Sequence, residues 1–157
     1  MSLLPLFGWL DSSAVGNAVR DSTWLFPVIE AFHLLGLAVI GGAILVVDLR
    51  LLDLGLRQPV DEIARDAQPW LIGSLLLMLS SGFLLFTSEA VKCYYHDAFW
   101  VKMTSLFLAI VFTFTVRRKV AMAEPGRVGP FRSGIVALVS VTLWSGVGIG
   151  GRWIGFS

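Results

Sequence analysis

Glu30 and His33 are the residues whose types and spacing point most directly to chemistry. Both fall inside Trp24–Val47, an apolar stretch of membrane-spanning character. An ionisable side chain there costs several kcal/mol unless it is paired or faces a cavity. Three residues apart, the two share one helical face, with about 5–6 Å between Cβ atoms. His33 comes nine residues after Trp24, about 13 Å along the axis at 1.5 Å per residue. That is too deep for an imidazole to extend outward to water. Glu-x-x-His is also the spacing with which bundle helices project metal ligands inward. The pair therefore points to a metal or haem ligand, or to proton handling. The structural alternative is that both hydrogen-bond to neighbouring helices and fix their register.

His96, the only other histidine, sits in Lys92-Cys93-Tyr94-Tyr95-His96-Asp97 just before the third span. Two histidines allow at most one bis-histidine haem per chain, and only if this connector dips to the depth of His33. A second copy of the chain could instead supply another His33. Asp48 follows Glu30 by eighteen residues, five helical turns, and so shares its angular position. The two could mark the ends of a polar path; alternatively Asp48 and Arg50 form an interfacial salt bridge at the helix end. Glu89, Lys92 and Lys102 read as interfacial. Arg152, beside Trp153 at the close of the fourth span, is placed to hold a haem propionate or another carboxylate. Trp144, deep in that span, either faces a ligand or fills the core. Cys93 is the only cysteine, which excludes an internal disulfide and any cysteine cluster for zinc or iron–sulfur. There is no Gly-rich phosphate loop, nucleophile elbow or His-Glu-x-x-His motif.

Membrane helices must position these groups. Of 157 residues, 56% are hydrophobic and 15% charged, and the mean hydropathy is +0.80. Soluble domains run about 45–50% apolar and about 25% charged, so the chain reads as a single integral membrane domain, an all-α four-helix bundle. A net charge of +1 offers no basic surface for nucleic acid. Four stretches reach the roughly 20 apolar residues a span needs: Trp24–Val47, Pro69–Ser88, Ala98–Val116 and Phe131–Gly150. Pro59 marks a turn, and Val60–Ala67 reads as a short surface helix before the second span. Arg117–Pro130 reads as a basic connector with turns at Pro125-Gly126 and Gly129-Pro130. Residues 3–20 lack a basic start and so do not form a secretory signal. They read as a short interfacial helix, with Phe7, Trp9 and Leu10 dipping into the membrane.

Orientation follows the distribution of Lys and Arg. Arg50, Arg57, Arg65, Arg117, Arg118, Lys119, Arg127 and Arg132 fall on one side, against Arg20, Lys92, Lys102 and Arg152 on the other. Positive-inside places both termini and the 2–3 connector outside the cytoplasm, in a bacterial inner membrane. Trp24, Trp100 and Trp153 then form an outer aromatic belt. In lipid, helices associate through small residues. Candidate seams are Gly36, Gly41 and Gly42 in the first span, Gly73, Ser74, Ser81 and Gly82 in the second, and Ser133, Ala137, Ser140, Gly148 and Gly151 in the fourth.

The run Trp24-Leu-Phe-Pro-Val-Ile-Glu30-Ala-Phe-His33-Leu-Leu-Gly36-Leu, with Gly41-Gly42 and Val47-Asp48-Leu-Arg50 after it, resembles a group of bacterial four-helix membrane proteins. These are related to the copper-resistance CopD-like proteins and similar to cytochrome b561-type bundles. Ala98-Phe99-Trp100-Val-Lys102 and Gly150-Gly151-Arg152-Trp153 extend the resemblance over most of the chain. It implies b-type haem or copper in the membrane, with His33 at the position of the first-span histidine and Glu30 beside it. His96 matches no position the resemblance requires, and methionine-rich copper motifs are absent. Three readings follow. In the first, haem b is held by His33 with His96 or a neighbouring subunit, electrons passing between a quinone and an outer-side redox partner. In the second, copper is handled by Glu30, His33 and His96. In the third, the chain is a non-catalytic membrane subunit or assembly factor. A chain this small is expected to form a homo-oligomer in the lipid.

Overall fold

A computed structural model of the chain describes residues 2–55 and 57–156, with the backbone alone at 155 and 156. Among the described residues there is no strand. Four helices are long and apolar enough to cross a membrane: span 1, Leu25–Leu51; span 2, Val60–Ser88; span 3, Asp97–Ala121; and span 4, Pro130–Ile154. With an even number of spans, both termini and the 2–3 connector lie at one end of the bundle, the terminal end. The 1–2 and 3–4 connectors lie at the other, the connector end.

Packing follows the small residues. Span 1 packs most extensively on span 2, span 3 on span 4, and span 1 also on span 4. A side chain at Gly36 would meet the backbone of Ser74 and Met78 at 3.3 Å, so the missing Cβ is what lets spans 1 and 2 approach. One core cluster joins all four spans, with Ile40, Ile44, Leu75, Met78, Leu106, Ala109, Trp144 and Val147 among its members. A second, at the connector end, gathers Val47, Leu51, Ile63, Val120 and Val136.

Several boundaries differ from the sequence reading. Span 2 absorbs the expected surface helix and starts at Val60 behind Pro59. Pro69 lies inside it rather than at its start, because neighbouring packing compensates for the single backbone bond a proline removes. Span 3 does not stop at Val116. It passes through a π-helical turn, Thr113–Arg117, and ends at Ala121, so Arg117 belongs to a span and not to a connector. Span 1 closes where Asp53 takes a left-handed backbone, φ 59°.

The N-terminal segment is two helices rather than one, α1 (Leu4–Asp11) and α2 (Ala14–Asp21). The Ser13 hydroxyl accepts the Gly16 N–H at 3.1 Å, a helix N-cap that forces the break. Phe7 does not dip into the membrane as expected. It is buried against the bundle with Ala90, Cys93 and Phe99, meeting Phe86, Tyr94 and Phe99 edge-on. Trp9 stays 68% exposed. The segment is a lid over the terminal end, tied by Arg20 to Asp11 at 2.9 Å.

Candidate functional site

His33 points from span 1 into span 2. Its Nδ1 lies 3.0 Å from the Met78 carbonyl oxygen and 3.1 Å from Ser81 Oγ. A carbonyl can only accept, so Nδ1 carries the proton and Nε2 keeps a free lone pair. Ser81 spends its own proton on the Leu77 carbonyl at 2.6 Å, leaving its oxygen to accept from the imidazole. The ring packs against Gly82, where an added Cβ would sit 2.9 Å from His33 Cε1. Two acceptors three residues apart on span 2 and one glycine thus hold a half-buried imidazole with one nitrogen uncommitted.

Lys102 of span 3 lies within electrostatic reach of that ring. Its side chain runs along span 4, where a Cβ at Gly150 would be 3.0 Å from Lys102 Cβ and one at Gly151 3.4 Å from Nζ. Cys93 lies on the same side, close enough for its thiol and the amine to interact. Burial, then Glu89, pushes that thiol up to about 11, so it is a protonated, buried group and not a nucleophile. Cys93 is not exposed on the 2–3 connector. The short helix Ala90–Tyr94 and Phe7 cover it instead.

The other expected residues are arranged differently. Glu30 is exposed on span 1, one turn before His33, and no hydrogen bond joins them. His96 is the half-buried residue that precedes span 3. No group of three or more His, Cys, Asp or Glu side chains is gathered for a metal among the described residues, so Glu30, His33 and His96 do not form one ligand set. The reason is geometric: His33 turns to span 2, Glu30 turns outward, and the connector bearing His96 is packed under α1. Trp144 is a core residue whose indole N–H donates to Thr113 Oγ1 at 3.1 Å. Arg152 is exposed near the end of span 4, beside Gly151.

Asp48 does not form the interfacial pair expected with Arg50. Arg50 pairs with Asp53, while Asp48, 0% exposed, receives Arg117 Nε at 2.7 Å. The same guanidinium donates to the Ile44 carbonyl at 2.9 Å. Ser140 of span 4 interacts with the Asp48 carboxyl, yet neither Ser140 Oγ nor Asp48 Oδ2 has a hydrogen bond of normal geometry. Glu30 and Asp48 share an angle on an ideal helix, but span 4 covers only the Asp48 end.

A cleft of about 380 Å³ opens at the connector end between Arg50, Arg57, Asp61 and Glu124. It mixes both signs of charge, and none of the expected ligands lines it.

Sequence reasoning missed Arg117 and Ser81. Arg117 was hidden because only the π turn brings it inside; its signal was a lone acid, Asp48, in an apolar run. Ser81-Gly82 was legible as a small-residue seam but not as the seat of His33.

Comparison with curated proteins and with solved structures finds no match. Residues 6–157 match the family of unknown function DUF6644, and the chain belongs to that family.

Proposed function

We propose that the protein is a membrane-embedded haem-binding redox protein in which His33 would supply a nitrogen ligand to the haem. One observation carries this reading: Nδ1 of His33 is committed to the Met78 carbonyl at 3.0 Å, which leaves Nε2 aimed away from its own support. Ligating histidines are oriented in this way, by a carbonyl or carboxylate on the far nitrogen that fixes the tautomer and raises basicity. Bound haem b would supply one-electron chemistry at a potential set by its axial ligands and its burial. The chain's part is to fix the imidazole, exclude water with the α1 lid, and hold the bundle rigid through Asp48 and Arg117. A second ligand would come from His33 of a second copy of the chain, since His33 and His96 are not gathered into one ligand set among the described residues. Under the orientation set by the Lys and Arg distribution, the site faces the outer leaflet, where a quinone and an outer-side partner have access.

The same bond favours a second reading. A histidine satisfied by Met78 and Ser81 and seated on Gly82 also locks spans 1 and 2 in register, as in a non-catalytic membrane subunit. Copper bound by one chain alone is less favoured, because no three-ligand group is gathered among the described residues. Absorption spectra of the purified protein, oxidised and dithionite-reduced, separate the readings. Haem predicts a Soret band with sharp reduced α and β bands that His33→Ala removes. A colourless protein loaded with one copper per chain supports the second metal, and a colourless, metal-free protein supports the structural subunit.

A further inference from the structure

We propose that the cleft at the connector end binds a zwitterion, a molecule that carries an oxyanion and an ammonium on a short apolar body. The inference goes beyond the haem reading and does not depend on it. The cleft holds about 380 Å³, within the roughly 300–1,000 Å³ of small-molecule sites. Part of its lining is apolar and closed to water: Leu51 at the end of span 1 and Val120 near the end of span 3 are both buried members of the connector-end core. One cation is fixed in place beside them. Arg50, in the last turn of span 1, has a side chain only 20% exposed and is held by the Gln58 carbonyl at 2.7 Å and by Asp53. A guanidinium has five N–H donors. These two bonds fix its plane and leave Nη2 without a hydrogen-bond partner among the described residues.

Arg57 adds a second guanidinium from the 1–2 connector, and Glu124 lines the same cleft from the 3–4 connector. Arg57 and Glu124 pair neither with each other nor with another charge among the described residues, whereas Asp61 is paired with Arg65 at 3.6 Å. A ligand of one sign is therefore opposed: an anion meets Glu124, and a cation meets the two arginines. A ligand with both signs is matched on both sides. Its oxyanion lies on the planar forks of Arg50 and Arg57, and its ammonium on Glu124. Leu51 and Val120 favour an apolar body over a fully hydrated ion. Two sources offer this chemistry. One is the phosphoethanolamine headgroup of a membrane lipid, since the cleft lies where the spans leave the bilayer. The other is a free amino acid with an aliphatic side chain.

The test uses the full-length protein, delipidated in a neutral detergent and titrated with dioleoylphosphatidylethanolamine, with leucine, or with dioleoylphosphatidylglycerol, which has the phosphate without the ammonium. The readouts are the thermal midpoint and the adduct mass by native mass spectrometry. Wild type is expected to show a saturable rise and a bound adduct with one or both zwitterions, and about ten-fold weaker binding of phosphatidylglycerol. Phosphatidylethanolamine alone acting identifies a lipid headgroup; leucine alone identifies a free amino acid; both acting identifies the zwitterion they share. Arg57→Gln and Glu124→Gln are each expected to bind about ten-fold more weakly. Both positions are exposed, so both variants are expected to melt as wild type without ligand. Lys92→Gln, at the terminal end, is expected to respond as wild type. The proposal is overturned by no response to either zwitterion, by phosphatidylglycerol binding as tightly as they do, or by Arg57→Gln or Glu124→Gln responding as wild type. Loss of binding with Arg57→Gln but not with Glu124→Gln would mark a plain anion site and overturn it equally.

Discussion

Arg117 Nε donates to Asp48 Oδ1 at 2.7 Å in the middle of apolar packing, with the arginine side chain 6% and the aspartate side chain 0% exposed. The pair joins span 3 to span 1, and the π-helical turn Thr113–Arg117 makes it possible. An extra residue in that turn rotates Arg117 inward, while Thr113 at its start accepts the Trp144 indole N–H. Charge, turn and indole together fix the order of three spans.

The first prediction follows from that pair. Asp48→Ala leaves the Arg117 cation buried without a partner and is expected to cost about 3–5 kcal/mol. Replacing both partners, Asp48→Leu with Arg117→Met, is expected to recover most of that loss, because two apolar groups orphan nothing. Unfolding in mixed micelles with increasing SDS measures both. A single variant as stable as wild type would show that the pair is not buried in the membrane protein.

Gly82 is expected to tolerate no side chain. A Cβ there would lie 2.9 Å from His33 Cε1, and the backbone of span 2 cannot retreat without opening the Gly36 seam. Gly82→Ala is expected to cost about 1–3 kcal/mol by overpacking. Under the haem reading it also weakens or shifts the visible bands. His33→Ala with Gly82→Ala is expected to be more stable than Gly82→Ala alone, and a double-mutant cycle reads the coupling.

The terminal lid has its own weak point. A Cβ on Gly16 would run into the Thr87 carbonyl at the end of span 2. Gly16→Ala is expected to lift α2 from the bundle without unfolding the spans. Hydrogen exchange then speeds up in Ala14–Asp21 and the segment becomes sensitive to protease, with span protection unchanged. Unaltered exchange would contradict the lid.

Cys93 supplies a pH dependence. Burial, and then Glu89, raises the folded thiol from 9.0 to about 11. The folded state therefore holds the proton more tightly than the unfolded one. Its contribution to stability is complete below pH 9 and is lost as pH rises from about 9 to 11. Cys93→Ser, which does not titrate there, is expected to flatten the curve in that window. The folded protein is also expected to resist iodoacetamide at pH 8, with modification only after unfolding.

Much of the fold was legible because the bilayer reduces it to a few rules. Length and apolarity gave four spans, and Gly36 and Gly82 marked real contact seams. The ends of the spans were less legible. Polar residues such as Asp61, Glu62 and Arg65 break the apolar signal, yet they continue the helix of span 2, because a helix does not stop where the membrane does. The site was half legible. Depth singled out His33 correctly as inward-facing, but spacing alone could not tell that Glu30 faces out while His33 faces in. A three-residue step is 300° rather than a full turn, and the bundle covers only part of the circumference. Lys102 and Arg117 read as interfacial or connector charges because both lie near span ends. A π turn, which has no local sequence signature, carries Arg117 inside, while Lys102 lies half-buried against Gly150 and Gly151.

The most direct test of the haem reading is the difference spectrum, dithionite-reduced minus oxidised, of wild type and His33→Ala purified side by side from cells supplied with haem precursor. The account predicts sharp α and Soret maxima in wild type and their loss in the variant, at equal yield of folded protein. A wild-type spectrum without these bands contradicts it, as does a His33→Ala spectrum identical to wild type.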